Sequence, residues 1–189
     1  ELDGVQIEWI RKSGDCVAQW RVEAIGDKGA ALAGVALRCN AAFRDFGVYC
    51  GRSREGALSL RGASKLALAI AGNRALRLER IDLSGCTIKH FGAVKLCRAL
   101  TTAATAFPGG SGLAWLDLTR NDIGDEGAAS VASYISAEGK HAGNGQALRH
   151  VNLSANSIGS SGLAALAAAA TATSSGCHLE TCILSTNPL

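Results

Sequence analysis

Methionine is absent from the whole sequence. In a chain that begins at Glu1, this marks a processed product or a fragment and leaves room for a removed targeting peptide, although no secretory signal stands at the N-terminus itself. Long apolar runs are also missing. The most apolar stretch, Leu163 to Ala172, is mostly alanine and well short of the roughly 18 residues that a membrane span requires, so it reads as a buried helix and no span is expected. Aromatic residues make up only 5% of the chain against 48% hydrophobic residues in all, and alanine, glycine and leucine dominate. That balance favours thin, closely stacked layers over one thick core. Excess charge of one sign is lacking too, since a net +3 is too small to argue for a nucleic-acid partner by itself. The seven cysteines are odd in number and irregularly spaced, in a 189-residue chain long enough to bury a core of its own as one domain. They point to free thiols and a reducing, intracellular compartment, in the first place the cytoplasm, or an organelle if a presequence has been removed.

What the chain does have is a repeat. Leu78-x-x-Ile81-x-Leu83-x-x-Cys86-x-Ile88 recurs as Leu113-x-x-Leu116-x-Leu118-x-x-Asn121-x-Ile123, as Leu148-x-x-Val151-x-Leu153-x-x-Asn156-x-Ile158 and as Leu179-x-x-Cys182-x-Leu184-x-x-Asn187-x-Leu189. The apolar pair two residues apart has the period of a short strand with one buried face. Asn121, Asn156 and Asn187 stand where the chain must turn, and a column of amides there can satisfy loop backbone that would otherwise be buried without partners. Cys86 replaces asparagine at the head of the column, where a small buryable thiol fits. Further upstream, Ile25-Gly26-Asp27-Lys28-Gly29-Ala30-Ala31 echoes Ile123-Gly124-Asp125-Glu126-Gly127-Ala128-Ala129. Each such glycine precedes a helical stretch with apolar residues four apart: Ala33 and Leu37, Leu96 and Leu100, Val131 and Ile135, Leu166 and Ala170. Taking the repeat glycines as 29, 56, 92, 127 and 162 gives spacings of 27, 36, 35 and 35. The residues beyond a period of about 28 then fall between helix and next strand, so Thr101 to Gly112 and Ser136 to Gln146 read as loops.

The first 24 residues fit least well. Val5, Ile7 and Trp9 alternate with polar neighbours as in a strand, and Ser13-Gly14-Asp15 signals a turn, so a hairpin or cap is expected there. Val17, Trp20 and Val22 have strand spacing but lie two residues out of step with Ile25, which leaves that register open.

With these motifs the chain resembles a leucine-rich repeat protein, and the pattern is similar to that of the ribonuclease-inhibitor-like subfamily. The resemblance spans residues 78–189 strongly and 25–71 fairly. It implies one α/β solenoid domain over 1–189: a cap or degenerate repeat over 1–24, then repeats over 25–189 with the last one incomplete. The strands would line the concave face of an arc and the helices its convex face. The 35-residue period is longer than the family's usual repeat and adds loops on one edge.

Residues between the inward strand positions then form three columns on the concave face. These are Asp45, Arg80, Trp115, His150 and Thr181; Gly47, Asp82, Asp117, Asn152 and Ile183; and Tyr49, Ser84, Thr119, Ser154 and Ser185, with Gln19 and Arg21 on the same face. Candidate partner-binding residues are Arg80, Asp82, Trp115, Asp117, Thr119, His150, Asn152 and Ser154. Trp115 leads, because aromatics anchor interfaces; the alternative is that the long loops fold over it. Asp82 and Asp117 occupy a position where the family commonly has aspartate, which also suits a solvated face or a local structural bond. His150 either bonds a partner or is an idle surface histidine.

No chemistry of its own emerges from the chain. Gly109-Gly110-Ser111-Gly112 lacks the lysine-serine/threonine pair of a phosphate loop. Cys177, His178 and Cys182 leave only two metal ligands once Cys182 takes an inward position. His90 and Cys97 are seven apart on one helix without an orienting carboxylate. No catalytic residue, cofactor or metal is therefore expected. The leading expectation is a non-catalytic scaffold or accessory subunit that holds a protein partner. The alternatives are a GTPase activator, to which the pattern is also similar through Ran GTPase-activating proteins, an inhibitor or sensor, and an RNA-contacting subunit of a ribonucleoprotein. Residues 52–80 carry Arg52, Arg54, Arg61, Lys65, Arg74, Arg77 and Arg80 against Glu55 and Glu79, a basic stretch suited to an acidic protein or RNA.

Overall fold

A computed structural model of the chain describes residues 5–12, 15–23, 25–50, 57–106, 112–141, 148–172 and 178–189, with backbone alone for 5–23, Tyr49, Ala106 and 138–141. Two strands, β1 (Val5–Lys12) and β2 (Asp15–Glu23), lead into α1 (Gly26–Cys39), β3 (Phe43–Tyr49) and α2 (Leu60–Gly72). The repeats follow as β4 (Arg80–Asp82), α3 (Lys89–Ala106), β5 (Trp115–Asp117), α4 (Gly124–His141), β6 (His150–Asn152), α5 (Ser160–Thr171) and β7 (Thr181–Ile183). All seven strands form one sheet in chain order. β1 pairs antiparallel with β2, and every later neighbour is parallel. The sheet does not close on itself, so the molecule is an open α/β repeat solenoid with strands on the concave side and helices outside.

The core is a continuous layer between strands and helices. Ile81, Leu83, Leu116, Leu118, Val151 and Leu153 fill it from the strand side, and Leu37, Leu66, Leu96, Leu100, Val131, Ile135 and Leu166 from the helix side. Tyr134 is the largest fully buried side chain among the described residues. The first turn of each helix sits directly over an apolar side chain four residues earlier. A Cβ at Gly29, Gly92 or Gly127 would lie 2.5, 2.7 or 2.5 Å from the Cβ of Ile25, Ile88 or Ile123. Only glycine lets the helix start so close to the strand layer.

Four expectations change. The helix-starting glycine of the second repeat is Gly62, not Gly56: a Cβ at Gly62 would lie 2.5 Å from Leu58, the counterpart of Ile88. The glycine spacings are therefore 33, 30, 35 and 35, and the second repeat carries its extra residues between β3 and α2; Gly56 itself lies outside the described residues. Next, the stretches from Thr101 and from Ser136 are not loops throughout. α3 and α4 continue to Ala106 and His141, 18 residues each against 13 in α2, and in α3 the added turn is packed through the buried Ala103 and Ala104. Third, the Leu163–Ala172 stretch is helical as α5 but largely exposed. Ala169 rather than Ala170 is its inward residue after Leu166, since α4 is the only helix packed against α5 among the described residues. Finally, pairing settles the first register. Trp20 aligns with Phe46 and Val22 with Val48, after a bulge between Ala18 and Gln19. The stretch from β2 to Ile25 is thus two residues shorter than that from β4 to Ile88, which accounts for the mismatch with the Ile25 anchor.

Candidate functional site

The pairing places Asp45, Arg80, Trp115, His150 and Thr181 side by side across β3–β7, and beside them Gly47, Asp82, Asp117, Asn152 and Ile183. Strands in a parallel sheet lie about 4.8 Å apart, close to the spacing of stacked rings. The first column uses this. The Arg80 guanidinium carbon stands 4.7 Å from the Trp115 ring centre, and the His150 ring lies 4.9 Å away on the other side, tilted by 43°. Trp115 is half-buried between them, and its Nε1–H is buried with no hydrogen-bond acceptor among the described residues.

Charge pairs surround this stack. Arg80 lies 3.6 Å from Asp82, and His150 Nε2 lies 3.7 Å from Glu180. Glu180 also pairs with Arg149, while Arg44 approaches Glu79 at 3.9 Å. Arg44 within β3, and Glu79, Arg149 and Glu180 just before β4, β6 and β7, are not among the candidate partner-binding residues of the sequence. The signal was present, because each stands immediately before a first-column residue. In the second column, Asp82 accepts the Ser84 N–H, Asp117 accepts the Thr119 N–H at 2.9 Å and Asn152 accepts the Ser154 N–H and hydroxyl. Asn152 also donates to Asp117 at 3.3 Å. These carboxylates and amides hold the turn out of each strand as well as facing solvent. Thr119 and Ser154 sit at those turns, half-buried.

Behind the face runs the asparagine column. Asn121 is fully buried and its Nδ2 donates to Leu83 O at 2.7 Å. Asn156 Nδ2 donates to Leu118 O at 2.8 Å and Asn187 Nδ2 to Leu153 O at 2.9 Å. Each amide oxygen faces the preceding repeat: Asn156 accepts from Asn121 N and Asn187 accepts from Asn156 N, both at 2.8 Å. At the head of the column Cys86 Sγ lies 3.6 Å from Val48 O, the same relation with a weaker donor, and 3.6 Å from Cys50 Sγ.

A Leucine Rich repeat family model matches the chain over residues 116–132 and 146–167, spanning β5 to α4 and β6 to α5. Over those two segments the chain is similar to leucine-rich repeats. No curated protein matches it.

Other sequence candidates are not brought together by the fold. Cys97 is buried inside α3, and burial pushes its thiol up to about 12, the opposite of an activated nucleophile. His90 instead lies at the helix start beside Phe91 and 3.6 Å from Glu126. The basic stretch 52–80 is divided. Arg61 and Lys65 are exposed on α2, whereas Arg80 stacks on the concave face and Arg77 folds back onto the carbonyls of Arg74 and Leu76. Arg52, Arg54, Cys177 and Gly109–Ser111 lie outside the described residues, as do the loop segments 107–111 and 142–147, on which the alternative of loops folding over Trp115 depends. Among the described residues no helix is long and apolar enough to cross a membrane, and no three His, Cys, Asp or Glu side chains are grouped to hold a metal ion.

Proposed function

We propose that the concave face binds a protein partner around Trp115 and does no chemistry of its own, the chain serving as a scaffold or accessory subunit of an intracellular assembly. Leucine-rich repeats point in general to protein–protein interaction, and one observation supports this site in particular. Arg80, Trp115 and His150 form a continuous stack on three successive strands, with Asp82, Asp117 and Asn152 alongside as a polar rim. An aromatic anchor with arginine beside it and hydrogen-bonding groups around it is the composition of an interface centre. Each described parallel strand from β3 to β6 is followed by a helix of at least three turns, which supports the ribonuclease-inhibitor-like subfamily and one continuous repeat domain.

The test is affinity capture from the native source with the wild-type chain and with Trp115→Ala, checked for equal thermal stability. Loss of a hot-spot anchor weakens binding about 30-fold, so the specific partner should drop out with the variant. Equal retention of every partner would move the site elsewhere. Enzyme activation, inhibition and RNA contact have no comparable arrangement in their favour among the described residues.

A further inference from the structure

The convex surface is not uniform. Exposed bases stand on three consecutive helices, Lys28 and Arg38 on α1, Arg61 and Lys65 on α2, and Lys89, Lys95 and Arg98 on α3. The single acid in those helices is Asp27, and its carboxylate is already engaged by Ser59 and Gly62. At α4 the sign changes, beginning with Asp125 and Glu126 in the first turn. Within the basic field large apolar side chains are left open: Leu68 is 71% exposed and Val35 62%.

Leu68 forms a ridge between two grooves. One, of about 340 Å³, runs between α2 and α3 over Ala67, Ala71 and Ala99, with Lys95 and Arg98 on its far wall. The other, of about 210 Å³, runs between α1 and α2 over Gly34 and Ala69, with Arg38 and Lys65 on its rim. The valleys exist because small residues occupy the helix seams; a Cβ at Gly34 would already lie 3.4 Å from Lys65 O.

We infer that this convex site takes a short acidic, amphipathic segment of another protein, with apolar side chains set astride Leu68 and carboxylates facing the two basic rims. Charge complementarity selects the sign of the occupant, and the apolar floors select its other face. Alternation of apolar floor and basic wall across two recesses fits a chain with side chains of both kinds. RNA would place phosphates over alanine floors and would find no aromatic in either groove on which to stack a base. A bilayer surface would touch the ridge and leave the recesses unfilled.

The experiment is a selection of displayed random peptides of about 12 residues on the full chain, counter-selected on Leu68→Gln and on Lys95→Glu/Arg98→Glu. Phosphatidylserine vesicles and a single-stranded RNA of random sequence are tested in parallel. All these positions are solvent-exposed, so the variants are expected to melt with the wild type. Enriched peptides should combine Asp or Glu with Leu, Ile or Phe three or four apart. They should lose about tenfold in affinity on either variant and weaken with salt, as charge-steered contacts do. Trp115→Ala should leave them unchanged, which separates this site from the concave one. Enrichment that ignores Leu68, peptides without acidic residues, or vesicle or RNA binding that disappears with the Leu68 variant would each overturn the inference.

Discussion

The two halves of the solenoid solve the same backbone problem with different chemistry. From β4 onward every strand is three residues long, and consecutive turns are tied by amides that donate to carbonyls of their own and the preceding repeat and accept from the preceding repeat's backbone. Upstream, β2 and β3 have nine and seven residues, and the joint to the regular half is the Cys50–Cys86 contact with Cys86 facing Val48 O. The neighbouring Cys50 thiol and, after it, burial push the Cys86 thiol up, keeping it neutral. The difference shows what the asparagine is for. A short strand supplies few ladder bonds, so its turn needs side-chain amides. The long β3 carries its own ladder, so the weak thiol donor of the following repeat, Cys86, suffices against its Val48 carbonyl.

The largest effect tests the crowding at that joint. Gly85 has φ +73°, and a Cβ there would lie 2.1 Å from Cys50 O, whereas Gly124 has φ +59° with nothing within 4 Å. Both substitutions by alanine carry left-handed strain of about 1 kcal/mol, but only Gly85→Ala forces backbone apart. Gly85→Ala should cost about 3 kcal/mol or more in denaturant unfolding, against about 1 kcal/mol for Gly124→Ala. Equal losses would mean that the joint yields easily and that the halves are not distinct.

Next is the column itself. Asn156→Ala strips an acceptor from Asn121 N and donors from Leu118 O and Ser154 O in a buried setting. Orphaned buried groups cost about 1–3 kcal/mol each, so a loss of about 3 kcal/mol is expected. Cys86→Ala removes only a weak donor and a small volume, about 1 kcal/mol. If urea midpoints shift equally for the two, the thiol is doing the amide's job and the contrast disappears.

The same contrast explains what the sequence made legible. The columns of the concave face follow from a strict period, and the strand pairing reproduces them residue for residue from Asp45 to Thr181 and from Gly47 to Ile183. In the irregular half, two Gly-Ala pairs compete, Gly56-Ala57 and Gly62-Ala63. The Arg54-Glu55-Gly56-Ala57 stretch that follows the β3 residues, with Gly56 36 residues before Gly92, points to the first. The deciding feature is the apolar residue four positions earlier: Leu58 precedes Gly62 as Ile88 precedes Gly92, while Arg52 precedes Gly56. That is a steric requirement of the helix start, and it outranks periodicity. The helical ends of α3 and α4 were hidden because alanine and threonine suit a loop composition as well as a helix flank; only packing against a neighbouring helix decides. The contacts of Glu180 with His150 and Arg149 depend on two long side chains meeting across strands, which no spacing rule specifies.

The smallest effect concerns a device the halves share. Asp27 Oδ1 accepts the N–H groups of Ser59 and Gly62 at 3.0 Å each, so it caps α2 from the preceding repeat, and Asp125 Oδ1 accepts those of Gly159 and Gly162 at 2.7 and 3.1 Å to cap α5. Asp27 has an additional partner, the Ser59 hydroxyl at 2.6 Å. Burial alone would push the Asp27 carboxyl up. The Ser59 hydroxyl, the two backbone N–H groups and the nearby Arg61 charge outweigh it and hold the group below its ordinary 3.8. A carboxyl depressed on folding binds its proton more readily in the unfolded chain. Its contribution is therefore complete above the unfolded value and is lost as pH falls through the folded one. Asp27→Asn keeps an acceptor but removes the charge at the helix N-terminus, worth about 0.5 kcal/mol at neutral pH. The gap between wild type and variant, measured by urea unfolding from pH 7 downward, should hold above about pH 5 and close in acid. A gap that persists unchanged to pH 2 would show that the geometry of the cap matters and its charge does not. The extra Ser59 contact would then add no electrostatic difference between the two halves.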